Sequence, residues 1–291
     1  MMVYCEGDIF RTPAQVIVNA VNTVGVMGKG IALAFKERYP AMFSEYRQFC
    51  DNGQFTMGKL MLWHGIDYWV LLFPTKISWR EPSRLSYIEM GLKHFRESFE
   101  AKHIESVAFP QLGCGNGDLN WADVRPLMEK YLSDLPIPVY IYLRNQRTVM
   151  PEHKVPKDME RWLRENARDM SFSGLKEDIR HQSAIVPYGF KAGNDQIEVH
   201  WENGLVFTHG LDVKAVVDEK TLRSLWEQMR EEKIFSAESV SEKDSLVYSL
   251  LEALGYISPI QLRTEGKAEM VRGYQMDGGA ERYFNIEGRA S

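Results

Sequence analysis

The sequence predicts an α/β domain followed by a small α+β domain. Strand and helix patterns alternate over the first 143 residues, as is typical of a sheet covered by helices. The polar stretch that follows, to about residue 170, contains two prolines, so we expect a domain boundary there. Beyond it, strand patterns precede two helix patterns. We therefore predict a first domain, a linker or bridging helix, and a second domain at residues 1–145, 146–170 and 171–291.

Six strand patterns and four helix patterns make up the first domain. The strand patterns are rich in apolar residues and are, in order, VYCEGDI, VIVNAV, KLMLWH, DYWVLLF, ESVAFPQL and VYIYL. The helix patterns are KGIALAFKERY, AMFSEYRQFC, the amphipathic segment 83–102 and DVRPLMEKYL. Pro40 suits the first turn of the second helix, and the turn residues at 51–53 are expected to end it.

The second domain has shorter and less regular patterns. Its expected strands are SAIVPYGF, QIEVHW, LVFTHG, ISPIQLR and ERYFNI, and its expected helices are EKTLRSLWEQMREE and SEKDSLVYSLLEALG. Ser241 and Asp244 have the spacing of an N-terminal capping pair for the second of these helices.

The composition disfavours a membrane protein, a secreted protein and a metal-binding protein. The apolar runs have the length of strands, far below the roughly 20 residues of a membrane-spanning helix. The N-terminus lacks a secretory signal pattern, so we expect a cytoplasmic protein with no membrane contact. The three cysteines are widely spaced and the seven histidines lack ligand spacing, so we expect no disulfide, no metal and no cofactor.

Charge is uneven along the chain. Residues 1–150 hold 16 Lys and Arg against 15 Asp and Glu, whereas the remainder holds 19 against 25. A nearly neutral first half neither requires nor excludes nucleic acid. The acidic second half disfavours non-specific contact with a phosphate backbone and suits a basic protein partner instead.

Two glycine-rich loops each follow a strand and precede a helix. In the first, GVMGKGIA, the glycines let the backbone approach a phosphate, and the helix N-terminus favours the anion. The second is LGCGNGDL. Neither matches a dinucleotide-binding or P-loop pattern, and either alone is more often structural than functional. Because both are expected at the carboxyl edge of one sheet, together they predict a diphosphate site.

Three polar side chains lie close to strand ends. Asn19 and Asn22 fall at the end of a buried strand, where their amides either bond sugar hydroxyls or satisfy the backbone of the turn. Asp8 follows the first strand and either accepts a hydrogen bond from an adenine amino group or caps a turn. The residues alone leave both alternatives open.

Five segments in this order resemble the macrodomain family, whose members bind ADP-ribose. They are GDI, VNAVN, GVMGKGIA, FPTK and PQLGCGNGDLNW, and the resemblance spans residues 1 to about 143. It implies a three-layer α/β/α sandwich with a mixed sheet. Within the family, NTVGVMGKGIALAFK and FPTKISWREPS are most similar to the group of terminal ADP-ribose glycohydrolase and the DarG antitoxins, which remove ADP-ribose from DNA.

The resemblance implies a role for each matching residue. Asp8 would meet the adenine amino group with Ile9 beside it, and the two asparagines would approach the distal ribose. The two loops would hold the diphosphate from opposite sides. The remaining expected ligand contacts are Gly28, Lys29, Gly30, Ile31, Thr75, Gly113, Cys114, Gly115, Asn116 and Gly117.

Lys76 is the catalytic residue that the resemblance implies. An uncharged amine can attack the anomeric carbon of an ADP-ribosyl group, open the ribose ring and form an imine-type adduct that water releases. Burial among Phe73, Pro74 and Trp79 would favour the uncharged amine, whereas nearby phosphates would oppose it.

A catalytic acid has no clear position in the second glycine loop. Terminal ADP-ribose glycohydrolase carries an aspartate at the position of Gly117, whereas this chain has Asp118 one residue later. Asp118 is therefore either a displaced catalytic acid or an outward-facing turn residue.

Three residues after Lys76 suggest contact with nucleic acid. Trp79 suits stacking on a base, and Arg80 and Arg84 suit phosphates, as at the mouth of a pocket that receives a flipped nucleotide. An apolar anchor with two solvated charges explains the same residues equally well.

Three functions fit these observations. The preferred one is a DarG-like hydrolase that removes ADP-ribose from modified DNA bases; its partners would be ADP-ribosylated DNA and a cognate ADP-ribosyltransferase toxin. The second is a hydrolase of a small derivative, such as O-acetyl-ADP-ribose or ADP-ribose 1''-phosphate. The third is a non-catalytic module that senses ADP-ribose.

Overall fold

The computed structural model describes residues 1–143, 150–238, 240–263, 269–276 and 283–285. The chain divides into two units, Met1–Met159 and Glu160–Ser291. The first is α/β and the second is α+β, so the predicted fold class is confirmed. None of the helices in the described ranges combines the length and the apolar character needed to cross a membrane.

Six strands form the sheet of the first unit. They are β1 (Met2–Glu6), β2 (Val16–Asn22), β3 (Met61–His64), β4 (Trp69–Lys76), β5 (Val107–Pro110) and β6 (Val139–Leu143). The order is β1-β6-β5-β2-β4-β3. All neighbours pair in parallel except β3, which is antiparallel to β4. The sheet is therefore mixed, as expected, and the carboxyl ends of its five parallel strands meet at one edge.

Two pairs of helices cover the sheet. They are α1 (Gly30–Arg38) with α2 (Pro40–Asp51), and α3 (Leu85–Ser98) with α4 (Trp121–Leu132). Successive strand residues point to opposite faces. Ile17 and Leu72 pack in a core with α1 and α2, whereas Val16 and Leu71 pack in a second core with α3 and α4. This arrangement is the expected three-layer sandwich.

The second unit contains two four-stranded sheets. The first is an antiparallel meander of β7 (Tyr188–Ala192), β8 (Asp195–Trp201), β9 (Gly204–His209) and β10 (Asp212–Asp218). The second sheet contains β11 (Ile234–Ser236), β12 (Ile257–Arg263), β13 (Met270–Met276) and β14 (Tyr283–Asn285), in the order β11-β13-β12-β14.

Four more α-helices lie in the described part of the chain after β6. They are α5 (Pro156–Glu165), which contains the division between the units, α6 (Phe172–Gln182), α7 (Glu219–Glu232) and α8 (Glu242–Leu254). The capping prediction for α8 is confirmed, because Ser241 Oγ accepts a hydrogen bond from Asp244 N at 3.1 Å. Part of the expected linker is thus helical, and the domain boundaries at 145 and 171 stay predictions.

Several elements of the second unit escaped prediction. The helix α6 begins with Phe-Ser-Gly, a loop-like composition that conceals its cap: Ser171 Oγ accepts from Gly174 N at 2.9 Å. The expected strand SAIVPYGF begins only at Tyr188. Strands β10, β11 and β13 were also missed. Residues Tyr283–Asn285 of ERYFNI form β14 as expected, and the other three lie outside the described residues.

Close packing of α3 against β4 depends on Gly91. A Cβ atom added at Gly91 would overlap the ring of Phe73, which is fully buried. The helix can lie this near the strand only because residue 91 has no side chain. The contact fixes the strand that ends in Lys76.

Gly91→Ala is expected to lower the free energy of unfolding of the first unit by about 2 kcal/mol, because the methyl group overpacks the core. The higher helix propensity of alanine offsets only about 1 kcal/mol. Urea titration with hydrogen exchange of the β4 amides measures the change. Ser86→Ala, at an exposed position of the same helix, is the matched control and should stay within about 0.5 kcal/mol. Equal stability of the two variants would contradict the tight packing.

Candidate functional site

A pocket of about 530 Å³ opens at the carboxyl edge of the first sheet. This volume lies within the usual range of small-molecule sites. Both glycine loops and the ends of β2 and β4 line it. The predicted ligand residues that line the pocket are Asp8, Ile9, Asn22, Gly28, Lys29, Gly30, Ile31, Thr75, Gly113, Cys114, Gly115, Asn116 and Gly117, together with Lys76.

Asn22 shapes the turn that leads into the first glycine loop. Its Oδ1 accepts hydrogen bonds from Val24 N and Val26 N, each at 3.2 Å. Its Nδ2 donates to Val26 O at 2.7 Å, and Tyr46 Oη donates to its main-chain oxygen at 2.5 Å. These bonds agree with the turn-forming alternative, and a ribose contact by Asn22 stays a prediction.

Asn22→Ala is expected to lower the free energy of unfolding by about 3 kcal/mol, because two buried amides lose their acceptor. The matched control is Asn52→Ala, which removes an exposed asparagine and should change stability by less than about 0.5 kcal/mol. Both can be compared by urea titration followed by circular dichroism. A loss below 1 kcal/mol in Asn22→Ala would show that other groups hold the turn.

The two glycine loops approach each other closely. Gly30 has φ +62°, and a Cβ atom built on it would lie 2.8 Å from Asn116 Nδ2. A Cβ atom on Gly117 would overlap Ser83 Oγ. The first turn of α1 has no side-chain cap on its amides, because its N-cap residue is Lys29. Since residues of this turn line the pocket, the arrangement can bind an anion.

Lys76 ends β4 and is 6 % exposed. Its Nζ donates to Asn116 O at 3.2 Å and to Glu152 Oε2 at 2.6 Å. Both side chains of this ion pair are 7 % exposed. An ion pair at this depth is held in place strongly, because removing either partner leaves a buried charge without compensation.

Glu152 is the charged residue of the pocket lining that sequence reasoning missed. It lies on a short 3₁₀ turn (Glu152–Lys154) and lines the pocket. The polar segment between residues 144 and 170 was interpreted as a linker or bridging helix. One available signal was an acidic residue flanked by Pro151 and Pro156 soon after the last strand of the sheet.

Asp118 lies outside the pocket lining, in the left-handed region with φ +63°. It forms an ion pair with Lys154 Nζ, and His153 Nε2 lies 3.6 Å from its Oδ2. The hydrogen bond from Lys154 holds the pKa of Asp118 below its ordinary value. This position agrees with the turn alternative, and a catalytic role for Asp118 stays a prediction.

Lys154→Ala is expected to raise the pKa of Asp118 towards the ordinary value of 3.8. Because the folded pKa is depressed, the pair stabilises the turn above the ordinary pKa, and this contribution is lost as pH falls through the lower, folded value. Carboxyl ¹³C NMR titration of Asp118 measures the shift. The control is Lys157→Ala, which removes an exposed lysine nearby and should leave the titration unchanged. An identical Asp118 titration in Lys154→Ala would contradict the pairing.

Cys114 and Thr75 contribute to the pocket wall. Burial raises the pKa of the Cys114 thiol to about 12, so it is protonated at neutral pH. Thr75 Oγ1 lies 3.4 Å from Val21 O, its hydrogen-bond acceptor. Across the described ranges, no three His, Cys, Asp or Glu side chains are grouped as metal ligands would be.

Besides Asp118, four predicted site residues lie outside the pocket lining: Asn19, Trp79, Arg80 and Arg84. Asn19 is fully buried, with Nδ2 at 3.9 Å from Met27 Sδ. Trp79 is also fully buried, and the guanidinium of Arg80 lies 4.1 Å from its ring centroid. Trp79 therefore offers no ring face to a base in this conformation. Arg84 is exposed beside Tyr87, and contacts of the two arginines with nucleic acid stay predictions.

Comparison with known proteins identifies the first unit. The Macro domain family model matches residues 18–128. The solved macrodomain of Mycobacterium tuberculosis DarG is 43% identical; the match covers 50% of this chain and 99% of that one, with a TM-score of 0.48. The family model therefore shows that the chain belongs to the Macro domain family through residues 18–128 of its first unit.

Two similar full-length relatives are called DNA ADP-ribosyl glycohydrolase. The protein from Mycobacterium tuberculosis is 44% identical over 141 residues, which is 47% of this chain and 40% of the relative. The protein from Thermus aquaticus is 37% identical over 147 residues, which is 49% and 41%. This chain thus spans about two fifths of the length of these relatives.

A third relative joins two activities in one chain. It is a DNA ADP-ribosyl transferase-DNA ADP-ribosyl glycohydrolase fusion protein from Thermosipho africanus, 37% identical over 171 residues, which is 52% of this chain and 44% of the relative. The matches to all three relatives cover about half of this chain.

Proposed function

We propose that the first unit removes ADP-ribose from modified DNA bases. The observation that carries this proposal is the buried Lys76 in the pocket wall, held at the end of β4 by Asn116 and Glu152. The identity of 37% to 44% with DNA ADP-ribosyl glycohydrolases supports the same reaction.

The strand order separates the two ends of the proposed ADP-ribose site. Asp8 follows β1, and Lys76 ends β4, four strand positions away in the sheet. At about 4.8 Å per position, the two residues are separated by roughly 19 Å. Adenine then lies beside Asp8 and Ile9, the diphosphate lies between the two glycine loops, and the distal ribose lies near Lys76.

The chemistry at Lys76 proceeds through a covalent adduct. The lone pair of Nζ forms a bond to the anomeric carbon, and the bond from that carbon to the ring oxygen breaks as the oxygen takes a proton. The nitrogen lone pair then forms a C=N bond, and the base leaves with its bonding electrons and takes a proton. Water adds to the imine carbon, which releases Nζ and lets the ribose ring close.

Lys76→Ala is expected to slow release of ADP-ribose from oligonucleotides carrying ADP-ribosylated thymidine or guanosine by at least about 100-fold, the scale set by loss of a positioned catalytic group. Chromatography of released ADP-ribose measures the rate. Lys93→Ala is the matched control, because its side chain is 65% exposed on α3, and it should retain the wild-type rate.

The same assay separates the other functions. An ADP-ribosyl-glutamate peptide, O-acetyl-ADP-ribose and ADP-ribose 1''-phosphate are tested beside the oligonucleotides. Turnover of the small derivatives without release from DNA would replace the proposal by a metabolite hydrolase. Binding of ADP-ribose without any turnover would leave a sensor module.

We also propose a DNA ADP-ribosyl transferase as the partner of this chain. The fusion of the two activities in the Thermosipho africanus relative supports this partner. The acidic second half suits a protein partner with a basic surface. Co-purification with the transferase, retained by residues 160–291 and lost without them, is the corresponding test.

A further inference from the structure

Glu152 reaches the pocket from a segment that lies beyond the sheet. The last strand, β6, ends at Leu143, and Glu152 lies on the 3₁₀ turn that precedes α5. We propose that Glu152 is a catalytic acid–base residue, which holds the ammonium group of Lys76, accepts its proton when the substrate is attacked and passes that proton to the substrate. This inference rests on the proposed role of Lys76 as the nucleophile.

The contact geometry suits proton transfer. Lys76 Nζ and Glu152 Oε2 are 2.6 Å apart, a short charge-assisted hydrogen bond. Both groups are almost fully withdrawn from solvent. Transfer of a proton along this bond from Nζ to the carboxylate leaves an amine with a free lone pair, which is the nucleophile.

No other carboxylate among the described residues is placed to serve Lys76. The pocket lining contains two acidic side chains, Asp8 and Glu152. Asp8 follows β1, which is four strand positions from β4 in the sheet, and its Oδ1 accepts a hydrogen bond from Phe10 N at 3.0 Å. Asp118 lies outside the lining and pairs with Lys154. Glu152 is therefore the acid–base group of the distal end.

The turn that carries Glu152 is fixed by its own contacts. Lys154 N donates to Pro151 O at 3.0 Å, and Val155 N donates to Glu152 O at 3.1 Å. The side chain of Lys154 pairs with Asp118 in the second glycine loop. That loop also accepts from Lys76 through Asn116 O. The second glycine loop thus helps to position both Lys76 and the turn that carries Glu152.

Each proton in the reaction has a place on Glu152. The carboxylate takes one proton from Nζ, and the carboxylic acid gives it to the ribose ring oxygen as the ring opens. The secondary ammonium of the adduct returns a proton to the carboxylate. The acid then gives this proton to the nitrogen of the departing base. No co-reactant other than water is required.

Reductive trapping with free ADP-ribose tests the role of Glu152 without a DNA substrate. The open-chain aldehyde of ADP-ribose forms an imine with Lys76, and cyanoborohydride reduces the C=N bond to a stable secondary amine. Peptide mass spectrometry measures the rate of adduct formation at Lys76, with exposed lysines giving the background. Titration calorimetry measures ADP-ribose affinity without the reductant.

Glu152→Gln is expected to slow adduct formation at Lys76 by at least about tenfold, while ADP-ribose affinity changes less than about threefold. Glu152→Asp keeps the carboxyl group and is expected to give a rate between those of Glu152→Gln and wild type. Glu105→Gln removes an exposed carboxylate that precedes β5, at the opposite edge of the sheet, and should match wild type.

Three results would overturn this inference: no Lys76 adduct in the wild type, a faster adduct in Glu152→Gln, or equal losses in the Gln and Asp variants accompanied by lost affinity. Absence of the adduct would show that Lys76 is not the nucleophile. A faster adduct in Glu152→Gln would show that Glu152 inhibits the reaction of Lys76, and equal losses with lost affinity would show that its role is purely structural. Glu152-dependent trapping without release from DNA would support Glu152 while rejecting the proposed DNA substrate.

Discussion

Parallel pairing of β2 with both β4 and β5 is the constraint on which the site depends. Parallel strands end at the same edge, so the turn after Asn22, the side chain of Lys76 and the loop after Pro110 are brought together although they are distant in sequence. Helices on both faces keep water from the sheet. The pocket is therefore formed by strand ends, and its walls inherit the rigidity of the two cores.

At the carboxyl edge of the sheet, each of two lysines is paired with a nearby carboxylate. A buried ammonium group carries a large desolvation cost, and the carboxylate of Glu152 offsets it at hydrogen-bond distance. A second and more exposed pair joins Asp118 of the second glycine loop to Lys154, which lies on the same turn as Glu152. The buried pair of Lys76 and Glu152 affects the reactivity of the lysine, whereas the pair of Asp118 and Lys154 helps to position the turn. The same glycine loop takes part in both.

Local patterns were enough to predict the strands of the first unit, its helices and the glycine loops, because each depends on residues near in sequence, whereas the mixed sheet was implied by the resemblance. The resemblance assigned Lys76 to the pocket. Glu152 was missed because its partner is 76 positions away and the intervening polar segment has no periodicity. For Trp79 the sequence left a base-stacking ring and an apolar anchor equally open, and tertiary packing buries the ring. Helix α6 was missed because its opening composition resembles a loop.

Because Glu152 follows β6 in the chain, the candidate site extends further along the sequence than the sheet and the helices that cover it. A fragment ending at residue 145 would contain all six strands and the four helices packed on them. It would nevertheless leave the ammonium group of Lys76 facing a cavity without its counter-charge. Such a fragment would have the architecture of the family and an altered reaction centre, so its behaviour would not represent that of the whole chain.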